Sequence, residues 1–318
     1  MQNQLKRGSV IKLREEEGGL LSIIPTDTMA QQQKMDEVTI KVTPKDSPDS
    51  IVRKTVSTYL VGYNIIHIRA ESQKQLSGRH RHKVKDFSRQ MLVGTEIVTD
   101  TPQELTLQVL LSYPELSVQS ALRRMSIIAA SMHKDAMTAL KGLDHQQAEE
   151  VTTTDNEVDR FNLYIVRQLK TAIQNPRIIR EIGLQNARDC LGYRLVTKSV
   201  ERTADHAANI AENVLSLKKR LEPETIEKLE KMSTIAISMF ETAIEALFRQ
   251  DYALADGIVE KIKEIVPIEK AAVVSSQKMD IEDVPYLRLI IESVRRTAEY
   301  ASDIAEIVLN LTIESILA

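Results

Sequence analysis

The sequence predicts a mostly α-helical protein: two tandem three-helix bundles preceded by a small α+β domain. The first observation is the uneven spread of helix breakers. Residues 1–114 hold six of the ten Gly and five of the nine Pro, and the other two-thirds of the chain holds four of each. The second is composition: the breaker-poor part is rich in Ala, Leu, Glu, Lys and Met at 3.6-residue spacing, which argues for long helices. The third is an internal repeat. Ser199–Leu215 and Ser293–Leu309 are identical at eleven of seventeen positions at an offset of 94, and Leu122–Asp144 and Leu229–Asp251 at eleven of twenty-three at an offset of 107. Each copy is therefore a three-helix unit large enough to hold a core, the second being shorter between its first and third helices.

The elements follow in order. Val38–Val42 alternates like a half-buried strand. Residues 48–62 carry Ile51, Val52, Val56, Tyr59 and Leu60 at helical spacing, with Gly62 as C-cap. Asn64–Ile68 reads as a strand, 80–93 as a helix stopping at Gly94, and 95–100 and 104–111 as strands around Pro102. The helices are expected near 116–141, 145–174, 177–217, 223–249, 251–277 and 281–316. Pro176 and Pro223 mark starts, and Asp144 and Asp251 are N-caps. The expected divisions are 1–36, 37–114, 115–217 and 218–318.

Composition excludes several function classes. With 42 Lys+Arg against 45 Asp+Glu the chain is no globally basic nucleic-acid coat, and with 4% aromatics and no Trp it is no stacking platform for single strands. One cysteine, Cys190, excludes a disulfide framework and a multi-cysteine metal site. No apolar run reaches the roughly 18–20 residues that cross a bilayer, and no signal peptide opens the chain. A cytoplasmic protein is expected. Phosphate-binding Gly loops, H-E-x-x-H and nucleophile elbows are missing, so no enzyme is expected.

One set of polar residues stands out against the repeat. On the helix through 193–214, Tyr193, Val196, Val200, Ala204, Ala207, Ala211 and Val214 form an apolar stripe, and Glu201, Asp205, Asn209 and Glu212 border it. On the preceding helix Val151, Val158, Ile165 and Leu169 face inward, with Asp155 within that face and Asp159 at its edge. If the two helices pack, four carboxylates converge and repel. A divalent cation removes the conflict: Mg²⁺, Ca²⁺, Mn²⁺, iron or, less typically, zinc. The competing reading is a solvated face with Lys198 and Arg202 as counter-ions. The second copy has Ile262, Val266, Arg295 and Glu299 in place of Asp155, Asp159, Glu201 and Asp205, which suggests a packed interface there in place of a second site.

The stretch SVERTADHAANIAENVL, with Thr154–Asp159 before it, resembles the third- and second-helix motifs of the PhoU family of phosphate-uptake regulators, over roughly 115–318. The resemblance implies paired three-helix bundles that bind multinuclear iron or other metal clusters, with Asp155, Asp159, Glu201 and Asp205 matching the metal motifs. Tyr59–Tyr63 is similar to a middle domain of archaeal members, and Leu5–Leu13 to the second half of an AbrB/SpoVT-like DNA-binding segment. The implied function is a metal-binding regulatory adaptor in phosphate homeostasis that restrains phosphate uptake or its gene expression. Its implied partner is a phosphate transporter ATPase or a signalling protein. A rival reading is a DNA-binding transcription regulator with the bundles as a dimerising or sensing module; a homodimer and DNA binding both stay open.

Other candidates have plainer readings. Arg79–Lys85 is the most basic run and reads as a solvated helix face with an anion patch as its rival. His133 is replaced by Phe240 in the second copy, which favours packing. His206 reads as a partly buried polar residue, Cys190 as a buried thiol, and Met132, Met137, Met232 and Met239 as core.

Overall fold

The computed structural model describes residues 11–16, 20–25, 37–43, 45–71, 75–111, 116–174, 176–275 and 280–317. Contacts cluster into two units, Met1–Leu111 and Ser112–Ala318.

In the first unit, β1 (Ile11–Glu16) and β2 (Leu20–Pro25) pair antiparallel, Ile11 opposite Pro25 and Glu16 opposite Leu20. Of the AbrB-like stretch only Ile11–Leu13 falls in β1; the rest lies outside the described residues. Then come β3 (Glu37–Val42), α1 (Pro48–Val61), β4 (Ile65–Ala70), α2 (Gly78–Met91), β5 (Thr95–Asp100) and β6 (Glu104–Val109). They form a four-stranded sheet of order β3-β4-β6-β5, with β3 parallel to β4 and the other pairs antiparallel. The parallel pair requires a crossover, and α1 supplies it. Alternation sorts the faces: Ile66, Ile68, Leu105 and Leu107 are buried with Ile51, Tyr59 and Val84 of the helices. Gly62 caps α1 at φ 113°, the left-handed conformation glycine adopts without strain.

The second unit begins with α3 (Val118–Gly142) and α4 (His145–Gln174). Asp144 caps α4, its Oδ1 accepting from the Gln147 N–H at 3.1 Å. The third helix departs from the expected single span. It is a short α5 (Pro176–Glu181), a turn through Gly183 at φ 87°, then α6 (Asp189–Ser216). Gly183 and Asn186 were the signals for the break: glycine supplies the left-handed turn, and the Asn186 side chain accepts from the Asp189 N–H that opens α6.

The second repeat has α7 (Pro223–Arg249), α8 (Tyr252–Lys261), a 3₁₀ turn (Ile262–Glu264), α9 (Ile265–Ser275) and α10 (Val284–Thr312). Its middle helix, expected unbroken, is interrupted because Pro267 lacks the N–H that would bond back to residue 263, and its ring crowds that carbonyl. Asp251 caps α8 by accepting from the Leu254 N–H at 3.0 Å. α3 and α7 both end on a left-handed residue, Leu143 and Gln250, 107 positions apart, so the repeat extends to its caps.

The four outer-repeat helices share one core. α6 packs on α10, α3 on α6, α7 on α10, and α3 on α7. Equivalent helices meet antiparallel: Arg123 of α3 stands over the Phe248 ring of α7 at 4.1 Å, while at the other end Lys141 reaches Glu230 at 2.7 Å. On the α6–α10 seam a side chain larger than Gly192 would collide with Leu311, 2.9 Å from where its Cβ would sit. α4 flanks α3 and α6; α8 and α9 flank α7 and α10. Among the described residues no helix is long and apolar enough to cross a membrane.

Candidate metal centre

The site grows from the way α4 and α6 bury their stripes. Tyr193, Val196, Val200, Ala204, Ala207, Ala211 and Val214 are all buried, as are Val151, Val158, Ile165 and Leu169. Small alanines let the helices approach closely, and the residues bordering each stripe are carried to the seam. One carboxylate oxygen each from Asp159, Glu201 and Asp205 lies within 4.8 Å of the others. Asp159 comes from α4 and the other two from successive turns of α6, so the helices' packing makes the cluster. Glu201 is the most enclosed, 8% exposed.

Asp155 lies one turn before Asp159 on α4 and borders the trio. Its carboxyl is pushed up from the ordinary 3.8 to about 7, first by burial and then by the charges of Asp159, Asp205, Glu201 and Glu212. Asp205 is raised to about 6 by burial and by Glu201. Asp159 is raised by burial and Glu201. Two such charges at this separation repel by about 3 kcal/mol at an effective dielectric near 20. Among the described residues the trio's ion-pair partner is Lys198, whose Nζ meets Glu201 Oε2.

The donor set fits a hard cation. Two oxygens bound to one ion at about 2.0–2.6 Å stand no more than about 4–5 Å apart, which is the spacing of the trio. Oxygen donors without Cys or His select Mg²⁺, Ca²⁺, Mn²⁺ or iron over thiolate-type zinc sites. Asp155 Oδ1 is buried and accepts no hydrogen bond among the described residues, so it too has a free lone pair at the cluster's edge.

The second repeat answers the same crowding with its own cation. Arg295, at the position of Glu201, pairs with Glu269 of α9 at 3.2 Å, with Glu292 at 3.6 Å and with Glu299. The sequence singled out Arg295; its partner Glu269 lies one turn beyond Val266 on the middle helix. The expected packed interface is corrected at Val266, which is 47% exposed, while Ile265 beside it is buried.

The basic run on α2 is largely matched by acids: Arg81 and Lys85 both bind Asp100, at 2.7 and 2.8 Å, His82 meets Asp86 and Lys83 meets Asp49. His133 is fully buried, Nε2 to Ser233 Oγ at 2.8 Å and Nδ1 to Thr297 Oγ1 at 3.4 Å, so it joins the repeats through hydrogen bonds as well as packing. His206 faces Tyr300, its repeat equivalent, ring centroids 5.7 Å apart, and bonds Ser293 Oγ at 3.1 Å. Cys190 and the four core methionines are buried.

Comparison with known proteins agrees with this architecture. A phosphate-specific transport system accessory protein PhoU homolog of Streptococcus pneumoniae is 25% identical over 181 residues, 54% of this chain and 80% of that protein. The homologs of Caulobacter vibrioides (35% over 100 residues, 31% of this chain, 40% of that protein) and Xylella fastidiosa (29% over 104 residues, 33% and 41%) match over shorter stretches. The chain thus spans about two fifths of the length of several curated relatives. The crystal structure of the phosphate transport system regulatory protein PhoU from Streptococcus pneumoniae shares the fold at a TM-score of 0.54 and 21% identity, covering 63% of this chain and 96% of that one. PhoU from Pseudomonas aeruginosa does so at 0.55 and 22%, covering 62% and 96%. The family model of the PhoU domain matches residues 122–214 and 229–308, the two repeats and more than half of the sequence. With its duplicated three-helix bundles and that match, the chain belongs to the PhoU family.

Proposed function

We propose that this protein is a metal-binding regulatory adaptor in phosphate homeostasis that restrains phosphate uptake or the expression of its genes. It acts in the cytoplasm by binding and not by turnover. The observation that carries the reading is the convergence of Asp159, Glu201 and Asp205 from two helices, with Asp155 beside them. These four residues would hold iron, zinc or another divalent cation, singly or as a cluster. A bound divalent cation supplies the positive charge that the acidic seam lacks. Asp159 would hold it from α4 and Glu201 and Asp205 from α6, and Asp155 would give up the proton that burial favours. The names of the relatives, accessory and regulatory proteins of phosphate transport, support a protein partner of the transporter-ATPase or signalling class.

The DNA-bound alternative draws less support, since Arg81, His82, Lys83 and Lys85 of α2 are matched by Asp49, Asp86 and Asp100. An archaeal-type arrangement, with residues 1–36 a partial AbrB-like segment, belongs to the proposal as well. The test is elemental analysis of natively purified wild type against the double variant Asp155→Ala/Glu201→Ala. Metal in the wild type and none in the variant is expected; equal contents overturn the metal reading. Co-purification with a phosphate transporter ATPase, against retention on DNA that weakens with salt, separates the two modes of action.

A further inference from the structure

The acidic seam of the first bundle already has a cation at its rim. Lys198 stands one turn before Glu201 on α6 and its Nζ pairs with Oε2 of the Glu201 carboxylate, a group of the trio. Its side chain is 37% exposed while that of Glu201 is 11% exposed, so the ammonium comes in from the solvent side to an enclosed carboxylate. Its charge also reaches Asp159 and Asp205, drawing both carboxyls back from the upward push of burial.

The other repeat carries the same pair reversed. Ninety-four positions on, Lys198-x-x-Glu201 becomes Glu292-x-x-Arg295. The inward member there is the guanidinium, held by Glu269, Glu292 and Glu299. A planar fork gripped by several carboxylates is fixed, whereas a lysine ammonium on a four-carbon stem is a mobile point charge.

We propose that Lys198 is a displaceable counter-ion of the acidic seam, which an incoming divalent cation must evict, so that this residue sets the metal concentration at which the site fills. The inference rests on the metal reading above. Eviction breaks one partly exposed ion pair and returns the ammonium to water, a small cost per event that subtracts directly from metal affinity. With Lys198 in place the metal-free bundle is partly neutralised; without it the metal-free form is poorer and the loaded form is unaffected.

The test titrates full-length protein with Mn²⁺ and with Zn²⁺ by equilibrium dialysis, alongside thermal unfolding with and without each ion. Lys198→Met is expected to bind roughly two- to fivefold more tightly, the size expected for losing one partly exposed ion pair. It should also unfold at a lower temperature when metal-free. Lys198→Arg is expected to bind more weakly than wild type, because a fork grips the carboxylates harder. The arginine variant keeps the charge and fold, so it decides the matter should the methionine variant not fold. A methionine variant as tight as or weaker than wild type, or an arginine variant no weaker than wild type, overturns the role of Lys198 and leaves the metal reading standing. Wild type that takes up neither ion overturns both.

Discussion

Glu201 of α6 and Arg295 of α10 hold equivalent positions in the two repeats and carry opposite charges into the same kind of place. Each is directed at acids of its own and the neighbouring helix. One repeat concentrates negative charge and the other cancels it internally. Arg295→Met is therefore expected to take from Glu269 its cation, with Arg296 still pairing with Glu292 and Glu299, and to lower stability by about 1 kcal/mol, allowing for partial exposure. Urea unfolding measures it; metal uptake by the first bundle should not change.

The metal-free protein should lose stability as the pH rises from 6 to 8. Asp155 has a folded pKa near 7 against an ordinary 3.8, so in this window the native state holds a proton that the unfolded chain has released. Its contribution is fully present below the ordinary value and is lost on passing through pH 7. Thermal melts at pH 6 and pH 8 with chelator should differ by a few degrees, at about 2–4 °C per kcal/mol for a unit of this size. Asp155→Asn should flatten the difference.

Removing the charges should stabilise the chain while abolishing its proposed ligand. In Asp159→Asn/Asp205→Asn the shape is kept and the repulsion with Glu201 is gone. The metal-free melting temperature is expected to rise by a few degrees, on the order of 1–2 kcal/mol. Bound metal should fall to background by elemental analysis. A destabilised variant would show that these carboxylates are held by attractive contacts instead.

His133 joins α3 to α7 and α10 from a site without water access. Burial lowers its pKa from 6.5 to about 4, so it is neutral in the folded protein above that value. The unfolded chain takes up the proton first as pH falls, and stability from this residue is lost between about pH 6.5 and 4. His133→Phe, which copies Phe240 of the other repeat, should cost about 1–3 kcal/mol because Ser233 Oγ loses its partner in the interior. Adding Ser233→Ala should recover much of that, as a double-mutant cycle in urea would show.

Periodicity and self-similarity made the bundles legible, since each helix advertises its buried stripe and the copies confirm one another. Spacing also singled out Asp155, Asp159, Glu201 and Asp205, because polar residues beside an apolar stripe are carried to whatever that stripe packs on. What escaped was local chain geometry. The turn through Gly183 and the 3₁₀ step before Pro267 leave the apolar pattern almost intact, yet each changes which side a residue faces. Glu269 meets Arg295, and Val266 meets solvent, in the interrupted middle helix of the second repeat. Pairwise choices escaped too: that Arg81 and Lys85 share Asp100 follows from α2 lying beside β5, which composition does not encode.

α6 is gripped along its length by α3, α4 and α10, down to the close approach of Gly192 and Leu311. A rod clamped on three sides has little room to swing or slide. Occupancy of its acidic flank would then be broadcast as a change of surface potential in place of a change of shape. A docking partner would read the protein as a label whose charge is altered while its contour stays fixed.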